Sequence, residues 1–436
     1  MLKIEQTDGR LHQYIGNLGL LSMVAMLLIP VNAQAFPFGI YDPRSMAMGG
    51  TGVASANSIT SVFYNPALLA LEKKRKEKSG KQSFSFPLVA ARRSNSVETI
   101  LDLNDVNYTN QITSTVNDYN AARTTETALA ALNEFRNFNG SLGEIANKPL
   151  FADANTSLVI GIPSNQEGGA FYVTGRAVGD GQVNVPAEEQ QLLADYTEAL
   201  EFITSGGASG EAHPELFDGG GNLINPVGNI TANANARGAV ITETGVSFSK
   251  RVSNTPFIVG FTPKVMTVKT YDVSKSLNSA AIDRQPSENS DPFFSLDVGF
   301  LYKFDNTWRG GMVIKNLREK SYVTNLGNTI KIQPQIRLGV ARITSSLILS
   351  LDYDIAANKG VYSENKTQYL ALGAELPLGV IKFRGGYRHT MKANGPKESG
   401  VFSAGLGLQM SSLYFDLAYA TNSDQEGASL ILGFQF

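Results

Sequence analysis

Beyond residue 80 the apolar and polar positions of the chain alternate with a period of two, the signature of extended segments with one face apolar and the other polar. In Phe294 to Phe304, Phe294, Leu296, Val298, Phe300, Tyr302 and Phe304 fall on one side. Ser295, Asp297, Gly299 and Lys303 fall on the other, with Leu301 out of step. The same alternation sets Ile336, Leu338 and Val340 against Gln335, Arg337 and Gly339, and Leu347, Leu349, Leu351 and Tyr353 against Ser350, Asp352 and Asp354. It sets Ile381, Phe383 and Tyr387 against Lys382, Arg384 and Arg388, and Leu413, Phe415, Leu417 and Tyr419 against Asp416. Strands are expected near Ser83, Thr156, Gly169, Gly238, Pro256, Phe294, Thr307, Thr329, Ser345, Thr367, Val380, Gly400, Ser412 and Ala428, about fourteen in all.

The connections alternate between short (252–255, 305–306, 343–344, 377–379 and around Met410) and long (271–291, 317–328, 356–366 and 390–399). Short turns at one end and long loops at the other fit an all-β, antiparallel transmembrane barrel with both chain ends on the short-turn, periplasmic side. A soluble exported β-sandwich or barrel would also alternate. Two excursions interrupt the strands. Helical spacing of Leu129, Leu132 and Phe135 predicts a helix within Thr124 to Asn147, and Leu192, Leu193, Tyr196 and Leu200 predict one over Ala187 to Thr204. Both fall on the outer side, as lids or as ordinary helices on the rim.

Phe36 to Ala70 is of a different character: glycine-rich, nearly uncharged and broken by Pro43 and Pro66. It reads as a compact plug inside the barrel, with Gly49, Gly50 and Gly52 allowing close backbone approach and Pro66 restricting Asn65. It could open or be a permanent stopper. Before it, the apolar run Leu18 to Ile29 and Ala33-Gln34-Ala35 have the order of a secretory signal peptide, cleaved before Phe36. The expected organisation is residues 1–35 signal peptide, 36–80 plug and 81–436 barrel.

Composition narrows the chemistry. With 42 Gly, 23 Phe and 16 Tyr but only 17% charged residues, the chain suits a membrane barrel. Cys is 0, which removes disulfides, thiolate metal sites and cysteine nucleophiles. A net charge of -2 gives no basic field for nucleic acid, and the run 72–78 reads as a solvated turn. Only His213 and His389 remain after the leader, in different outer segments, too little for a histidine metal centre or triad. The Asp102 to Asn107 cluster lacks the glycine and glutamate of a calcium loop. No catalytic residue, metal or cofactor is expected, so the chain reads as non-enzymatic.

Inward-facing charges are expected at Asp297, Arg309, Lys315, Arg337, Asp352, Asp354, Lys382, Arg384 and Arg388. They would either pair with the plug or line a polar path.

The last residues, LILGFQF, resemble the terminal strand of outer-membrane proteins of Gram-negative bacteria. That resemblance implies that Phe434 and Phe436 belong to the signal read by the barrel-insertion machinery. Ser45 to Ala54 (SMAMGGTGVA), followed by Phe63-Tyr64-Asn65-Pro66-Ala67, resembles the hatch of the FadL-like fatty acid transporters. This implies a plugged barrel of fourteen strands in outer-membrane lipid, passing a hydrophobic or amphipathic solute. The FPFGIYDPRSMAMGGTGVA stretch and Val313-Ile314-Lys315-Asn316-Leu317 are most similar to the TraF-like conjugal transfer proteins of the Cys-free kind. That resemblance implies a structural role among conjugation envelope proteins.

Overall fold

The computed structural model describes residues 38–71, 82–99, 108–146, 148–276, 291–362, 366–392 and 399–435. The leader with its cleavage site, the basic run 72–78, the Asp102 to Asn107 cluster and Phe436 lie outside them. In chain order the strands are β1 (Ser83–Ser94), β2 (Pro149–Ile162), β3 (Glu167–Asn184), β4 (Asn233–Arg251), β5 (Phe257–Ser276) and β6 (Phe293–Lys303). They continue with β7 (Trp308–Lys315), β8 (Lys320–Val323), β9 (Thr329–Ile332), β10 (Gln335–Ile343), β11 (Ile348–Asp354) and β12 (Asn358–Lys359). The last are β13 (Lys366–Leu378), β14 (Ile381–Lys392), β15 (Val401–Gln409), β16 (Leu413–Thr421) and β17 (Gln425–Gln435).

Fourteen of these close into one antiparallel barrel: β1 to β7, then β10, β11 and β13 to β17. The seam is β1 against β17, with Ser83 opposite Gln435. Closure joins the first strand to the last, although β5 beyond Met266 and β6 before Val298 have no ladder partner on one side among the described residues. The register of β1 shifts between Ser85 and Leu88 against both neighbours. Pro87, which has no N–H, sits in that bulge.

The barrel strand expected near Thr329 divides in two. Among the described residues Thr329–Ile332 pairs only with Lys320–Val323, as a separate hairpin, and the wall strand begins at Gln335. Pro334 separates them and breaks the ladder. The long connections gather at one end, although the turn between β16 and β17 at that end is short.

Outward positions carry large exposed apolar side chains, among them Phe171, Phe248, Phe261, Phe294, Leu372 and Leu406. Inward positions are glycine, small, charged, or apolar against something inside. Leu301, the residue out of step in β6, points inward and packs in the plug's core.

The strands β3, β4 and β5 have 18, 19 and 20 residues, against 8 and 7 in β7 and β11, so one wall rises above the other. On the tall side sits a helical cap whose core is separate from that of the plug and takes in Leu150 of β2 and Val183 of β3. Its helices are Tyr108–Ala122, Thr125–Ile145 and Ala187–Thr204. Thr124 starts the second through a reciprocal cap with Thr127. Phe135 stacks on Tyr196 at 4.9 Å between ring centres, joining the second helix to the third. Leu132 and Phe135 enter this core as the helical spacing predicts, but Leu129 is exposed. The helix Tyr108–Ala122 was not apparent in the sequence pattern, because its first half is mostly Thr, Asn and Gln.

Candidate functional site

The lumen is filled by residues 38–71, a segment built from short capped turns. Asp42 accepts a hydrogen bond from the Ser45 amide (3.0 Å) and starts the one-turn helix Pro43–Ala47, with Pro43 at its first position. Gly49 and Gly50 follow at φ 71° and 93°, conformations that side chains disfavour. A Cβ on Gly49 would also strike the backbone carbonyls of Leu372 and Tyr387 in the wall. Gly52 lies against the Tyr64 ring, and the Tyr64 hydroxyl accepts from the amides of Tyr41 (2.8 Å) and Asp42 (3.3 Å). Phe63 stacks on Tyr41 and meets Tyr172 of β3 edge-on.

Asn65 joins this segment to the wall. Its Oδ1 accepts from the Ala67 amide (3.1 Å) and caps the turn Pro66–Ala70. Its Nδ2 donates to the carbonyls of Val53 (2.9 Å) within the plug and Phe300 (3.0 Å) in β6. Wall glycines make room for it: a Cβ on Gly299 would overlap Asn65 and Pro66, one on Gly260 would overlap Pro66 and Ala67, and one on Gly386 would overlap Met48 and Gly49. The plug therefore contacts wall backbone directly where an ordinary side chain would hold it away.

Four of the nine inward charges expected from the sequence touch the plug. Asp352 Oδ2 accepts from the amides of Gly52 (2.8 Å) and Val53 (2.9 Å). Arg337 donates to the Gly50 carbonyl (3.3 Å), Lys315 to that of Phe63 (3.2 Å) and Arg309 to that of Ala54 (2.5 Å). Asp354 stands behind Arg337 in an ion pair. Arg384 pairs with Asp416 (2.9 Å) and Glu375 (2.7 Å). Asp297 pairs with Lys264 instead (3.0 Å). Lys382 reaches Gln409 (3.4 Å), and Arg388 lies over the Tyr369 ring and donates to Gln425 (3.4 Å).

Sequence reasoning missed an ion pair that anchors the plug to the wall. Arg44 of the plug pairs with Glu375 of β13 (2.8 Å), which also holds Arg384, and Arg44 donates to the Ser55 carbonyl (2.6 Å). Alternation would have found Glu375, which shares a strand face with Gly373 and opposes Leu372, Leu376 and Leu378. Above the plug, Lys264 is wholly buried between Glu243 (3.1 Å) and Asp297 (3.0 Å). Phe434 lies on the closing strand at the seam, opposite Phe84.

In the cap, ligand atoms of Asp195, His213 and Glu215 lie within 4.8 Å of one another, with His213 hydrogen-bonded to Glu215 (3.1 Å). His389 is far along the chain on β14, stacked on Tyr387.

A closed antiparallel barrel of fourteen strands with its lumen filled by an N-terminal segment defines a plugged β-barrel protein. Residues 62–354 match the family described as the F plasmid transfer operon TraF protein, and the chain belongs to that family. No curated protein matches it.

Among solved structures it is similar to the Ralstonia pickettii toluene transporter TbuX, at 10% identity and TM-score 0.49 over 92% of this chain and 98% of that one. A TodX monoaromatic hydrocarbon channel mutant gives 10% and 0.48 over 91% and 98%. A Pseudomonas aeruginosa FadL homologue gives 10% and 0.46 over 93% and 98%.

Proposed function

We propose that the protein is a non-enzymatic outer-membrane barrel that passes hydrophobic or amphipathic small molecules through a plugged lumen. The observation that carries this reading is an apolar layer inside the barrel, above the plug. Ile241, Met266, Val268 and Phe293 face inward there as one buried cluster. A barrel for water or ions has no use for such a layer, whereas an apolar solute leaving water would be stabilised by it. The exposed apolar outer surface supports insertion in lipid, with the long-loop end and its cap outward.

The test is entry of N-phenyl-1-naphthylamine, which fluoresces on reaching lipid, into intact cells carrying the protein in their outer membrane. Influx above that of vector cells is expected. Influx equal to the vector, with a folded barrel shown by faster migration before boiling, would remove the transport reading.

A second reading, a structural component of a conjugation apparatus, is favoured by the family match and by a helical cap packed on the tall wall, which offers a large surface at the long-loop end. Unchanged plasmid transfer in cells lacking the protein would exclude it.

A further inference from the structure

We propose that the hairpin β8–β9 is a displaceable lid seated in a binding site for a compact apolar molecule, and that Asp272 is its latch. This rests on the transport reading above and names the site within it.

The hairpin folds into the mouth of the barrel rather than extending the wall. Its backbone pairs only with itself among the described residues, Tyr322 opposite Ile330 and Lys320 opposite Ile332. Tyr322, Ile330 and Ile332 are buried against Ala239 and Ile241 of β4, Met266 and Val268 of β5, and Phe293 of β6. Phe293 meets Tyr322 edge-on, 6.2 Å between ring centres. Side chains of the hairpin thus occupy an apolar seat on the inner wall, with the bulk of one aromatic and two branched aliphatic groups.

Three observations separate a lid from a permanent filler. A two-stranded hairpin has little stability of its own, so its position is set by the seat and by whatever ties its tip. The tip is tied through side chains to one carboxylate: Asp272 Oδ2 accepts from Thr324 Oγ1 (2.7 Å) and Asn328 Nδ2 (2.8 Å), with Arg237 3.3 Å away. Among the described residues the buried Tyr322 hydroxyl has no hydrogen-bond partner, a cost that release to water or a solute with an acceptor would remove. A solute that fills the seat substitutes for the burial the hairpin loses, and so shifts the equilibrium toward the displaced hairpin. The side chains that line the seat, Ala239, Ile241, Met266, Val268 and Phe293, are all apolar, and the charged groups stand at its margins, so it selects for apolar molecules.

The chain has no Cys, so introduced thiols report alone. Leu326 lies at the exposed hairpin tip. A spin label on Leu326→Cys in lipid nanodiscs should become more mobile when N-phenyl-1-naphthylamine is added. It should be mobile without the probe in Asp272→Ala and, to a lesser degree, in Thr324→Val, which alters only the hairpin. In cells, Asp272→Ala should raise probe influx severalfold. The pair Asp272→Cys/Thr324→Cys, joined by a short bis-methanethiosulfonate linker, should bring influx to the vector level and recover it on reduction. Undiminished influx with the hairpin locked would overturn the lid while leaving transport standing. Absence of influx in every variant would remove the transport reading, and the nanodisc label then decides the site by itself: a tip that stays immobile with the probe overturns it.

Discussion

Glu375 is the residue on which the seating of the plug can be tested most sharply. Its carboxylate holds Arg44 from the plug and Arg384 from the wall, and the side chains of all three are at most 7% exposed. Glu375→Ala leaves Arg44 buried with, among the described residues, the Ser55 carbonyl alone, while Arg384 keeps Asp416. Breaking a buried pair in this way costs about 3–5 kcal/mol. Because Arg384 retains a partner, the lower end applies, about 3 kcal/mol. Release of the plug lets Arg44 regain water, so that cost appears as easier opening, on the order of 100-fold at 1.4 kcal/mol per factor of ten. The assay is thiol labelling of Ser61→Cys, a fully buried plug position, in reconstituted protein. Labelling limited by opening should accelerate about 100-fold in Glu375→Ala. The cycle with Arg44→Ala should show a coupling of about 2 kcal/mol, within the range for contacting residues. Acceleration of less than threefold, or coupling near zero, would mean that this pair does not hold the plug.

Three further outcomes follow from the same geometry. Gly299→Val should drive a side chain into Asn65 and Pro66 and cost about 1–3 kcal/mol. It should be seen as a lower temperature for loss of the fast-migrating unboiled band, whereas Gly385→Ala, with nothing within 4 Å of the new Cβ, should leave that temperature unchanged. Asn65→Ala removes a cap and two donated hydrogen bonds, and Ser61→Cys labelling should report about 2–4 kcal/mol of easier opening. In the cap, slight burial disfavours the His213 imidazolium, but hydrogen bonds to Glu215 and Glu198 outweigh it and raise the pKa above 6.5. The stabilisation this brings to the cap is present below the unfolded pKa and lost as pH rises through the folded one. An NMR titration should place His213 above 6.5 and Glu215→Gln should lower it; an unshifted value in the parent protein would contradict the geometry.

The wall was legible because its pattern is repeated: an apolar outer face forces period-two alternation in strand after strand, and Phe294 to Lys303 shows it almost without exception. The plug was legible for the opposite reason, since glycine, proline and scarce charge suit neither a long helix nor a ladder of strands. Pairings across long sequence separations were not legible. Nothing local marks Glu375 as the partner of Arg44, 331 residues away, or Asp272 as the acceptor for a hairpin tip more than 50 residues later. The hairpin's second arm was read as wall because Thr329–Ile332 alternates as a wall strand does, with only Pro334 to signal the break, and its first arm fell in the expected loop 317–328.

The charged belt between the hairpin and the plug bears on how two closures in series can work as one. Lys264 lies between Glu243 and Asp297, and separating either pair in a site so dry costs several kcal/mol. An apolar solute offers those charges nothing, so on the proposed route the belt, rather than the apolar seat, would be the steepest part. Yet the belt touches both movable parts. Asp297 accepts from the Asn316 amide (2.8 Å), at the root of the hairpin and at φ 56°, and Tyr172 bonds Glu243 (3.3 Å) while packing on Phe63 of the plug. Displacing the hairpin loads the Asn316 to Asp297 bond, and a shift of Asp297 is felt by Lys264 and, through Glu243 and Tyr172, by the plug. If the closures are coupled this way, Asp297→Asn should leave probe-induced release of the Leu326→Cys label intact while abolishing any matching rise in Ser61→Cys labelling. Both responses surviving together would show that the plug opens independently of the hairpin.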